Sequence, residues 1–155
     1  MKIRNPGKTI TAEDIIRLEN KLDIELPQEY KAFLLQNNGG YVDGFLCTPS
    51  FKELHPETGE AFVQSVNPDK FYSLDEVCEE YEENEDDPVF PEKLLSIGYD
   101  SAGNNILLGV DQAADYGCVF FANHEWYVSQ TGFYVITKIA DSFDEFVNSL
   151  HPFEE

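Results

Sequence analysis

The sequence predicts an α+β fold: a mainly antiparallel central β-sheet flanked by helices, with helices at both ends of the chain. Three observations carry this reading. Helix-start signatures of the form Ser/Thr-x-x-acid stand near each end, at Thr11 and Ser142, and a third interrupts the middle at Ser73. Apolar runs of strand length fill the intervals, bounded by Gly, Asp and Asn clusters. Short strands joined by short turns favour antiparallel pairing.

From the N-terminus, Thr11-Ala12-Glu13-Asp14 starts a helix over 12–23 whose Ile15, Leu18 and Leu22 recur at helical spacing. Pro27 suits the first turn of a second helix, 27–37, with Tyr30, Phe33 and Leu34 on one face. Asn37-Asn38-Gly39-Gly40 should stop it, because Asn and Gly tolerate the left-handed conformation at helix ends. Tyr41 to Thr48 and Ala61 to Val66 then read as strands around the turn Pro56-Glu57-Thr58-Gly59. Ser73-Leu74-Asp75-Glu76 opens a helix over 74–83, with Leu74, Val77, Cys78 and Tyr81 as its apolar stripe. Lys93 to Ile97, Asn105 to Val110 and Cys118 to Ala122 are further strands, and Phe133 to Ile139 reads as a buried one. The last helix, 142–150, carries Phe143, Phe146, Val147 and Leu150 behind its start signal.

The chain has 155 residues, 42% of them hydrophobic, which suits a single domain over 1–155 with a sizeable core. No apolar stretch follows the N-terminal Met1-Lys2-Ile3-Arg4, and no run approaches the roughly 18 residues of a membrane span, so a cytoplasmic protein is expected. Cys47, Cys78 and Cys118 are odd in number and form no CxxC pair, which fits reduced thiols. Thirty acids against ten bases give a net charge of -20. Such a surface repels phosphate, which argues against nucleic acid and anionic membranes; the charge fits either solubility alone or a basic partner.

Motifs for chemistry fall short. Gly7-Lys8-Thr9 resembles the end of a phosphate-binding loop, but the first Gly of that motif would be residue 2, which is Lys2. Gly98 to Gly103 has one residue too many for a nucleophile elbow and reads as a turn. His124-Glu125 lacks the second His of a zinc-protease helix, which would fall at Val128. Asp100, Asn104, Asp111 and Asp115 do not follow a calcium-loop order and read as turn residues. No catalytic residue, metal ligand or cofactor is expected.

One segment stands out. Asp75 to Glu92 holds ten acids and no Lys or Arg. The pairs Asp75–Glu79, Glu76–Glu80 and Glu79–Glu83 are like charges at helical i, i+4, each destabilising by about 0.2–0.5 kcal/mol. A merely solvated face does not need this arrangement, since a few lysines would relieve it. Glu79, Glu80, Glu83, Glu85, Asp86 and Asp87 are therefore expected to project as one negative partner-binding surface, with the turns around Tyr41 and Asp100 as the next candidates.

The ordered motifs also resemble a family. The pieces are Ile15-x-x-Leu18-Glu19, Leu26-Pro27-x-x-Tyr30-x-x-Phe33-Leu34, Asn38-Gly39-Gly40, Ile97-Gly98-x-Asp100-Ser101-x-Gly103-Asn104, Val119 to Glu125, and Asp141-Ser142-Phe143-x-x-Phe146. Together they are similar to the SUKH superfamily, which includes bacterial toxin-immunity proteins and fungal cell-wall regulators. Ala122 and Asn123 stand where the family often has an aromatic and an Asp. The resemblance implies a central sheet flanked by helices. It also implies a non-enzymatic function: an immunity protein binding a basic, often nuclease, toxin. The alternative is an intracellular scaffold or regulator binding a non-toxin protein. A metal-assisted hydrolase is the third class, and no ligand constellation supports it.

Overall fold

The computed structural model describes residues 1–153. In chain order the elements are β1 (Ile3–Arg4), α1 (Ala12–Leu22), α2 (Gln28–Gln36), β2 (Gly40–Val42), β3 (Leu46–Cys47), β4 (Phe51–Leu54), β5 (Ala61–Gln64), β6 (Pro68–Phe71), α3 (Leu74–Asp86), β7 (Leu94–Asp100), β8 (Asn105–Gly109), β9 (Val119–Tyr127), β10 (Tyr134–Ala140), α4 (Phe143–Ser149) and β11 (His151–Pro152). The main sheet has seven strands in the order β1-β2-β6-β7-β8-β9-β10, and every pairing in it is antiparallel. The α+β class, the antiparallel sheet and all four helices follow the sequence reading. Among the described residues no helix is long and apolar enough to cross a membrane.

The helix starts form as their side chains dictate. Thr11 and Ser73 make complete capping boxes with Asp14 and Glu76. Ser142 accepts from the Glu145 N–H. Pro27 stands at the N-cap of α2 rather than in its first turn, and its carbonyl accepts from the Lys31 N–H at 3.0 Å. At the other end of α2, Asn37 is extended and the left-handed turn falls on Gly39, at φ +70. A Cβ there would lie 2.5 Å from the Tyr72 carbonyl, so only glycine fits.

The strand reading needs correction at several points, including Gly98 to Asp100, which continue β7 instead of turning, and the short strands β1 and β11, which were not expected. Tyr41 to Thr48 is not one strand: Gly44, at φ +86, turns the chain, so β2 joins the main sheet and β3 pairs with β11. Ala61 to Val66 shortens to β5, which pairs with the unanticipated β4 in an exposed hairpin. β6 was hidden by its polar composition, Pro68-Asp69-Lys70-Phe71. The strand at Phe133 to Ile139 is a sheet edge, with only Val135 and Ala140 of β10 buried.

The core lies between one face of the sheet and the helices. Ile15, Leu18 and Leu22 of α1, Tyr30 and Leu34 of α2, Leu74, Val77 and Tyr81 of α3, and Phe143 and Phe146 of α4 meet Phe71, Leu95, Ile97, Ile106, Leu108 and Phe121. Phe71 takes edge contacts from Phe33, Phe143 and Phe146. The β4–β5 hairpin is fastened to the sheet by Phe51 against Phe121 at 5.5 Å and by Glu53. Glu53 is fully buried, and its Oε1 accepts from Gln64 Nε2 and Asn123 Nδ2, each at 3.0 Å. The opposite face of the sheet carries a smaller cluster in which Phe90 packs on Leu107, Phe120 and Ala122.

Candidate functional site

That second face holds a continuous row. Register sets Arg4 opposite Tyr41, Tyr41 opposite Lys70, Lys70 opposite Tyr99, Tyr99 opposite Asn105, Asn105 opposite Ala122, and Ala122 opposite Ile136. Directly opposed residues share a face, so these side chains line up across all seven strands. The bulge between Ser96 and Gly98 fixes which side Tyr99 takes. Gly98 lets β6 and β7 approach, since a Cβ there would lie 2.3 Å from the Lys70 carbonyl oxygen.

α3 packs beside β7 and α1. Its N-terminus is held by Asn38, whose Oδ1 accepts from the Leu74 N–H at 2.8 Å while its Nδ2 donates to the Lys8 carbonyl at 2.8 Å. The helix runs three residues beyond the expected end at Glu83, despite its charge. Beyond it, Asn84 clamps the chain: it accepts from the Val89 N–H at 2.8 Å and donates to the Phe90 carbonyl at 2.9 Å. Two acids gain cationic partners, Glu76 from Lys70 at 2.7 Å and Glu82 from Lys21 at 3.2 Å.

Helical spacing sorts the acids into stripes. Glu76, Glu80, Glu83 and Asp87 form the stripe beside the tyrosine row, and Glu79, Glu82 and Asp86 form the next. Lys70 joins row and stripe: its ammonium lies 5.3 Å from the centre of the Tyr41 ring and bonds Glu76. Tyr72, just before the helix, stacks at an angle on Tyr99 at 5.9 Å. Tyr41 and the acidic helix, separate candidates in the sequence, thus meet on one face.

Two details of the expected surface change. Glu80 is half-buried rather than projecting. Glu85 lies round the helix, in a groove with Lys93 and Phe133. Asp100 is placed apart from the face: it is 5% exposed, and its carboxylate accepts from the Ala102 and Asn104 N–H groups and from Asn104 Nδ2. It shapes the β7–β8 turn. His124 bonds Asn104 in the same region, Nδ1 to Oδ1 at 2.7 Å. Lys70, Tyr72, Tyr99, Asn105 and Tyr134 are on or beside the face and were not singled out in the sequence. Their only sequence signal is alternation, and in β6 and β7 a polar strand and a bulge obscure it.

Glu80 shows the electrostatic state of the stripe. Burial holds its carboxyl above the ordinary range, and Glu83, Glu76 and Glu79 add to the effect. Glu76 goes the other way: burial opposes ionisation, but Lys70 and the Ser73 N–H outweigh it. A raised carboxyl lowers folded stability as pH rises from its unfolded pKa through its folded one. Glu80→Gln should therefore stabilise the protein near pH ~7, by about 0.2–0.5 kcal/mol for each relieved like-charge pair. The gain should vanish below pH ~4, where the carboxyl is protonated folded and unfolded alike. Urea unfolding of both proteins at the two pH values checks this; a less stable variant at neutral pH would show that Glu80 has a favourable partner.

Comparison with known proteins gives two findings. Residues 9–149 match the model of the SMI1 / KNR4 family (SUKH-1). The chain is also 28% identical, over 156 aligned residues covering 90% of it and 74% of the relative, to the SPbeta prophage-derived uncharacterized protein YokK of Bacillus subtilis (strain 168).

Proposed function

Because the chain belongs to the SMI1 / KNR4 family (SUKH-1), we propose that it works in the cytoplasm as an immunity protein, neutralising a basic toxin domain by direct binding. The observation that carries this reading is the joining of the Tyr41–Lys70–Tyr99 row to the unpaired carboxylates of Glu80, Glu83 and Asp87 on one face. Aromatic side chains supply contact area at low entropic cost and are enriched at protein interfaces. The acids supply a field. Steering between opposite charges raises association rates by about 10 to 10³-fold, which suits an antidote that must act before its target does. The net charge of -20 makes the whole molecule favour a basic partner and reject nucleic acid.

The test is co-expression in bacteria with the C-terminal domain of a secreted toxin encoded beside its gene. The chain should restore growth and co-purify with that domain as a stable complex. Growth inhibition unaffected by the chain, with no complex formed, would contradict toxin neutralisation.

A further inference from the structure

The acidic stripe of α3 faces a second wall of different chemistry. A groove runs between Glu80, Glu83 and Asp87 on one side and Asn105 and Tyr134 on the other, and Phe90 lines it too. The same sheet face already holds one cation in a similar setting: Lys70 sits by the Tyr41 ring with Glu76 as its counter-ion. One turn further along the helix the carboxylate recurs, at Glu80, without the cation. Among the described residues neither Glu80 nor Glu83 forms an ion pair. The groove therefore combines three carboxylates, none of them in an ion pair among the described residues, with a flat aromatic ring and a polar amide.

We propose that this groove receives an arginine side chain of the protein partner, its guanidinium stacked on Tyr134 and paired with Glu80 and Glu83. This rests on the protein-binding reading above and narrows it to one anchor. Arginine fits better than lysine for three reasons. Its planar head stacks on an aromatic ring. Its five donors can bond several acceptors at once, which suits a groove lined by carboxylates and by Asn105, whose Oδ1 accepts from Ser96 Oγ at 3.2 Å and keeps a second lone pair. It is also less strongly hydrated than an ammonium, so it enters a half-buried site more readily. A partly desolvated, unpaired Glu80 gains most from such an occupant.

The probes are N-acetyl-arginine amide and N-acetyl-lysine amide, titrated into the labelled full-length protein and followed by NMR. The arginine probe should give saturable shifts centred on Glu80, Glu83, Asn105 and Tyr134, at least about threefold tighter than the lysine probe. Glu80→Gln and Tyr134→Leu should each abolish saturation with the rest of the spectrum intact, while Glu57→Gln should change nothing. Shifts that rise linearly over all acids, match for the two probes, or survive in Glu80→Gln would overturn the proposal. Binding to the toxin domain separates this from the broader reading. Glu80→Gln should weaken that complex about tenfold or more, and Glu57→Gln, on the exposed β4–β5 turn, less than about twofold. Partner binding that needs the acids collectively but ignores Glu80 and Tyr134 would remove the arginine anchor alone. A partner indifferent to every acid of α3 would remove the protein-binding face itself, whatever the probes show.

Discussion

Asn38→Ala should lower the stability of the fold by about 2–4 kcal/mol, because it breaks two hydrogen bonds and leaves a buried N–H at a helix start. Asn38 is 8% exposed. Its amide oxygen receives the Leu74 N–H, one of the donors that α3 cannot satisfy internally, and its amide nitrogen ties down the Lys8 carbonyl. Its own backbone carbonyl accepts from the Gly7 N–H at 3.0 Å, so the N-terminal segment, the end of α2 and the start of α3 converge on this residue. Asn38 and Leu74 both border an open cleft between α1 and α3, so water can recover part of the lost bond and the loss should fall toward the lower end of that range. Asn38→Asp keeps the acceptor for the Leu74 N–H and gains from the positive end of the helix, but it sets a carboxylate oxygen against the Lys8 carbonyl where Nδ2 donates, so it should recover only about 1 kcal/mol of the loss. Chemical denaturation gives the magnitudes, and hydrogen exchange at Leu74 to Val77 gives the location. An alanine variant as stable as the parent would mean that α3 is anchored by other contacts.

Much of this frame was legible in the sequence, and the reason is local. Thr11, Ser73 and Ser142 each bond a backbone N–H three residues on, so a short motif was enough to place three helices. Of the apolar stripe Leu74, Val77, Cys78 and Tyr81, three turned inward as the spacing required, while Cys78 is only half-buried, its Sγ bonded to Glu82. What escaped depends on contacts distant in sequence. β6 forms because β2 and β7 pair on either side of it, although Pro68, Asp69 and Lys70 have little strand preference. The site was half visible for the same reason. A run of acids shows in the sequence, but that Tyr41, Lys70 and Tyr99 lie in register beside them is set by three strand pairings and a bulge. Asp100 looked like a free turn carboxylate until the backbone N–H groups folded back onto it. Asn123 stands where an Asp is frequent in the family, and here it donates to the buried Glu53; an Asp would set two carboxylates against each other.

The second large effect is expected in association kinetics. Changing Glu79, Glu80, Glu83 and Glu85 to Gln and Asp86 and Asp87 to Asn removes six charges, from -20 to -14. If the acidic face steers a basic toxin domain, this variant should associate about 10- to 100-fold more slowly at low salt. Dissociation should change less, and the fall of rate with added salt should flatten. The fold should not suffer, because like-charge pairs on α3 are removed. Net charge alone would also slow association, so a second variant is needed with the same total. Glu13, Glu57, Glu60, Glu125, Asp144 and Glu145 are all exposed and lie outside α3, and changing them to Gln or Asn also gives -14.

Stopped-flow association of the parent and both six-fold variants with the toxin domain, across ionic strength, decides whether the acids of α3 steer the partner. The α3 variant should show a large loss of rate and of salt dependence, with the control variant close to the parent. Equal slowing of the two variants, or an α3 variant as fast as the parent, would contradict steering by α3.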